Sequence, residues 1–137
     1  MITSFYLKLY LATFLAFLLI DMLWLGLVAR WFYQKHLASL LAPNTNWLAA
    51  IVFYLLFIAG ILIFVVVPAL QSGSLMKVAL LGALFGLITY ATYDLTNLAT
   101  LKDWPVIVTV IDLLWGTVLS TLVACISYLV GRGMIGS

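Results

Sequence analysis

The chain has 137 residues, of which 67% are apolar and 7% are Asp, Glu, Lys or Arg, with a formal net charge of +2. A water-soluble domain carries about a quarter charged residues and under half apolar ones, so this composition excludes a soluble fold, and the weak, scattered charge gives nucleic acid nothing to bind. The single cysteine, Cys125, lies inside an apolar run, which leaves no intramolecular disulfide and no cysteine metal set.

Four apolar runs, at 5–28, 47–70, 77–98 and 106–130, each reach the roughly 20 residues that cross a bilayer. They predict an all-α, polytopic integral membrane protein: one domain over 1–137, with four transmembrane helices and a short interfacial helix after the first. In the first run Lys8 is the only early cation, and Asp21 and Trp24 interrupt where a signal peptide would be cleaved. That run is therefore a span.

The connection over 30–46 places Tyr33, Leu37, Leu40 and Leu41 on one side at helical spacing, against Gln34, Lys35, Ala38 and Ser39. This spacing predicts the short interfacial helix, with Trp31 and Phe32 in the headgroup belt and His36 on the surface. Pro43-Asn44 ends it and starts the second span. That span holds no ionisable residue, and its Phe53, Tyr54 and Phe57 suit packing or lipid contact. Gln71-Ser72-Gly73-Ser74 reads as a tight turn with Ser74 as the N-cap of the third span. In Lys102-Asp103-Trp104-Pro105, Asp103 is placed to cap the fourth span and Pro105 to sit in its first turn.

Lys8, Lys77 and Arg132 fall on one side of the membrane, and Arg30, Lys35 and Lys102 on the other. Three against three leaves the positive-inside rule nothing to act on.

The four acids are all aspartates, and Asp21, Asp94 and Asp112 lie within spans. A carboxylate in hydrocarbon costs several kcal/mol and persists only facing a protein interior or a wet cavity. At 1.5 Å per residue all three stand roughly 6 to 10 Å from the same membrane face. Helical phase turns them inward. On span one, Tyr10, Thr13, Phe17, Asp21, Trp24 and Val28 share a face; on span four, Thr109, Asp112, Gly116, Ser120 and Ser127 do. On span three, Gly82 and Gly86 form a small-xxx-small motif that admits a neighbouring helix, and Tyr90, Tyr93 and Asn97 continue that face with Asp94 at its edge. A local repeat adds to this: Ile20-Asp21-Met22-Leu23-Trp24 matches Ile111-Asp112-Leu113-Leu114-Trp115 at four of five positions, on helices running in opposite directions.

The stretch Gly82 to Gly86, through Tyr90, Tyr93-Asp94, Asn97 and Asp103-Trp104-Pro105 to Asp112 and Trp115-Gly116, together with Asp21-Met22-Leu23-Trp24-Leu25-Gly26, resembles the signature of a domain-of-unknown-function family of small bacterial membrane proteins. The resemblance implies a multi-pass, four-helix protein of the bacterial inner membrane. It supplies no reaction, substrate or cofactor.

The residues leave three functional classes. The acids could bind a small cationic or amphiphilic molecule for proton-linked transport, with Asp21, Trp24, Tyr90, Tyr93, Asp94, Asn97, Thr109, Asp112 and Trp115 lining the site. They could serve an intramembrane enzyme acting on a lipid or isoprenoid, with Asp94 as acid and Asp112 or Asp21 as base. Or they could simply hold helices together, with Tyr90, Tyr93, Asn97 and Thr109 as partners and Arg30 or Lys102 as counter-charges. No His stands in the spans to activate Ser120 or Cys125, and three aspartates without His or Glu make no helix-borne metal motif. No cofactor is called for. Besides the lipid bilayer and a small-molecule ligand, the partner expected is a second copy, docked on the Gly82 and Gly86 face.

Overall fold

A computed structural model describes residues 1–137. It is helical, without strands, and four helices are long and apolar enough to cross a membrane: α1, Ile2–Leu37; α2, Trp47–Ser72; α3, Leu75–Thr100; and α4, Val106–Gly136.

The short helix expected after the first span is present over Arg30–Leu37, but it continues α1 without a break instead of forming a separate element. The join is a π turn, Leu25–Ala29, in which backbone bonds close over five residues and the turn takes up one extra residue. At 1.5 Å per residue α1 is about 54 Å long, well beyond the ~30 Å hydrocarbon core. The extension is not an anchor lying flat in the headgroups. Phe32 and Leu37 are buried against Trp104 and Val108 at the start of α4, and His36 stacks on Phe32 with ring centroids 4.8 Å apart. Only Trp31 of the expected aromatic belt is exposed.

Local signals set most other boundaries. Asn46, not the Pro43-Asn44 pair, caps α2, its side chain accepting from the Ala49 N–H at 3.1 Å. A second π turn, Leu62–Val66, sits inside α2. Gly73, at φ 69°, ends α2 with its N–H on the Ala69 carbonyl at 2.9 Å, and Ser74 caps α3 by accepting from the Lys77 N–H at 3.1 Å, as the turn predicts. Asp103 does not cap α4: it takes a left-handed conformation, φ 62°, that turns the chain, and Pro105 occupies the cap position with no side-chain bond.

The closest helix pair is α3 on α4, joined where the sequence is smallest. A Cβ at Gly86 would run into the Gly116 carbonyl oxygen, and one at Gly82 would lie 3.0 Å from the Ala124 Cβ. The Gly82 and Gly86 face is therefore spent on α4 of the same chain and is not free for a second copy. In lipid, apolar residues gain little from leaving their solvent, so such close backbone contact and interhelical hydrogen bonds supply the cohesion. One such bond joins Thr13 of α1 to Ser127 of α4, at 2.6 Å between buried hydroxyls. Around it a core of side chains from all four helices, among them Leu9, Phe17, Ile58, Val78, Leu119 and Val123, fills the end of the bundle that holds both termini.

The four helices do not close evenly. The first half of α2 leans on α1, whereas its second half packs on α3 and α4. A gap is left between α2 and α3 at the end where the aspartates lie.

Candidate functional site

Asp94 and Asp112 project from α3 and α4, whose backbones the glycines hold together. Both are buried, Asp94 completely, and their carboxyls face each other within hydrogen-bonding reach. The two differ in company. Asp112 accepts a hydrogen bond on Oδ1 from the Tyr33 hydroxyl of the α1 extension. Neither oxygen of Asp94 has a donor against it. Two carboxylate oxygens are both acceptors, so the contact between the pair becomes favourable only when a proton or another cation stands between them. A buried polar group without a partner costs about 1–3 kcal/mol, and more when charged.

Asp21 stands apart. It is buried on α1 with the Tyr54 hydroxyl of α2 at 3.5 Å from its Oδ2, the far limit of a hydrogen bond. The Trp115 indole N–H lies near its carboxyl yet closes no hydrogen bond. The three acids thus do not share one coordination sphere, and no group of three His, Cys, Asp or Glu side chains is arranged to hold a metal ion. The Tyr90 hydroxyl lies within electrostatic reach of Asp21, Asp94, Asp112 and Tyr54.

The remaining expected residues are placed as follows. Trp24 and Trp115, the paired tryptophans of the local repeat, stack at 4.4 Å with ring planes 8° apart. Thr109 is buried, accepting from the Trp104 indole N–H at 3.0 Å and donating to the Asp94 backbone carbonyl at 3.4 Å, so it braces the backbone rather than a carboxylate. Asn97 stands one turn from Tyr93, beside its hydroxyl, and off the cleft. Tyr93 meets Trp104 edge-on at 5.8 Å. The partners of the three carboxyls are tyrosines, Trp115 and one another; Arg30 and Lys102 are not among them.

The gap between α2 and α3 is a cleft of ≈ 440 Å³ lined by Phe53, Thr89, Tyr90, Tyr93 and Asp112. That volume lies within the usual range for a small-molecule site. Sequence reasoning missed Tyr33, Tyr54 and the two other lining residues, Phe53 and Thr89. Helical spacing puts Tyr33 on an interfacial helix, and Phe53 and Tyr54 sit on a span with no charged residue to single out a face.

Four apolar spans around one buried acid pair and an aromatic cleft define a multi-pass membrane protein with a polar site inside its bundle. Residues 6–129 match the family described as "Predicted membrane protein (DUF2177)". The chain belongs to that family, whose function is unknown. No curated protein and no solved structure matches it.

Proposed function

We propose that the protein binds a small cationic or amphiphilic molecule in the α2–α3 cleft, its positive group resting at Asp112 and Asp94, where protons compete for the same carboxylates. Proton-linked transport is the activity such competition serves, and the bacterial inner membrane is where we place it. The observation that supports this reading is the Asp94 carboxyl: fully buried, without a donor, and set against a second acid that lines the cleft. An acid kept only to tie helices together would have donors on its oxygens.

The test uses purified protein in lipid nanodiscs with tetraphenylphosphonium as probe. In Asp94→Asn the new amide can donate to Asp112, so the empty protein gains thermal stability while probe affinity falls by about tenfold or more. Affinity of the unsubstituted protein falls as pH is lowered, because protonated carboxyls no longer attract the cation. Undiminished binding in the Asn variants of all three acids sinks the reading, and a destabilised Asp94→Asn variant returns the pair to a structural role.

A second reading is favoured by the unlike surroundings of the pair, Asp112 held by Tyr33 and Asp94 by nothing. That division suits a proton donor and its ionised neighbour acting on a lipid or isoprenoid. A changed lipid profile in a host lacking the gene favours the enzyme; an unchanged profile with altered tolerance to organic cations favours transport.

A further inference from the structure

Resting on the cation-site reading, we infer that the ligand reaches Asp112 sideways from the bilayer, and that its class is a long-chain amine whose ammonium head enters the cleft while its chain stays in lipid. Two features of the bundle carry this. The first is a plug. Leu98 lies four residues after Asp94 and Val108 four before Asp112, each one turn nearer the membrane face. There Phe32, Leu37, Trp104 and Val108 form a buried apolar cluster, with Val28, Tyr33, Leu98 and Ile111 packed against it. Trp104 is fixed on Thr109, which in turn holds the Asp94 backbone. An ion coming from the adjacent aqueous face would have to cross this layer, where the Tyr33 hydroxyl, the Trp104 indole N–H and the Thr109 hydroxyl are already engaged with Asp112, Thr109 and the Asp94 carbonyl.

The second feature is the open flank. Phe53 is 47% exposed and Tyr93 is 58% exposed, although both line the cleft whose inner wall is the buried Asp112. Nothing of this chain covers them from the side, where acyl chains lie. Tyr93 is seven residues before the end of α3, about 10 Å below it. The rings of Phe53, Tyr90 and Tyr93 offer π faces to an ammonium on its way to the carboxylate. A small hydrophilic cation gains nothing from such a route, because it must first enter the hydrocarbon.

The experiment measures equilibrium binding of dodecylamine, butylamine and dodecanol to the protein in nanodiscs, against empty nanodiscs as blank. Dodecylamine binds; Asp112→Asn and Thr89→Phe, which fills the cleft, each weaken it about tenfold or more. Phe53→Leu, which removes one ring from the half-exposed mouth, weakens it in the same direction and guards against misfolding of the Thr89 variant. Dodecanol and butylamine at the same aqueous concentration leave the site empty. Butylamine binding as well as dodecylamine, and unaffected by Thr89→Phe, overturns the lateral route but leaves the cation site standing. Dodecanol binding as well as dodecylamine overturns the amine class. If neither amine binds, the cation-site reading itself fails.

Discussion

Replacing Gly86 by Ala tests how the site is held. The new Cβ would run into the Gly116 carbonyl oxygen and would lie 2.6 Å from the Ser120 Oγ and 2.7 Å from the Ser120 Cβ. Carbon atoms in contact prefer about 3.5–4.0 Å, so α3 and α4 must separate by roughly 1 Å. Overpacking of this kind costs about 1–3 kcal/mol, only partly offset by the ~1 kcal/mol preference of a helix interior for Ala over Gly. Gly82→Ala, whose nearest contacts are 3.0 to 3.2 Å, should cost less. Gly133→Ala, with nothing within 4 Å, should stabilise the helix slightly. Thermal unfolding in detergent or nanodiscs therefore ranks the variants Gly133→Ala, unsubstituted protein, Gly82→Ala, Gly86→Ala, from most to least stable. The α3–α4 register described above is refuted by a Gly86→Ala protein as stable as Gly133→Ala.

Two further expectations concern hydrogen bonds. Thr13→Val keeps the shape of the side chain but removes the bond to Ser127; interhelical bonds in membranes average ~0.6 kcal/mol, so a loss of that order is expected in the same unfolding assay, and a loss of several kcal/mol would show that the pair does more than join α1 to α4. Tyr33→Phe frees Asp112 and should cost about 1.5–3 kcal/mol, the range for bonds to charged groups. It should also speed amide hydrogen exchange over Arg30–Leu37. Tyr54→Phe should cost less, since its contact with Asp21 is 3.5 Å; equal effects of the two would contradict the assigned geometry.

The inward faces were legible because polar residues in apolar helices have one acceptable direction. Thr13, Phe17 and Asp21 on α1, and Thr109, Asp112, Gly116, Ser120 and Ser127 on α4, are all buried, as their helical phase requires. Tyr33 was not legible, and the π turn is the reason. Twelve steps of about 100° from Asp21 place Tyr33 roughly 120° away from the inward face. The extra residue absorbed at Leu25–Ala29 removes one step and returns it to within roughly 20°. Spacing alone gives no sign of such a turn. Tyr54 escaped for another reason: α2 is apolar on every side, so no periodicity distinguishes its inner face from its lipid face. Asp103 has the residue type of a cap, but the chain needed it for a left-handed turn before Pro105.

The same π turn makes α1 tolerant of a change in length at one place only. A deletion of one residue within Leu25–Ala29 would convert the wide turn to an ordinary one and leave Tyr33 pointing as it does now. A deletion a few residues earlier or later would swing either Asp21 or Tyr33 by a full helical step. Shorter versions of this protein that keep its acid pair are therefore expected to have lost their residue from those five positions, and α1 can be viewed as a regular helix carrying one inserted residue.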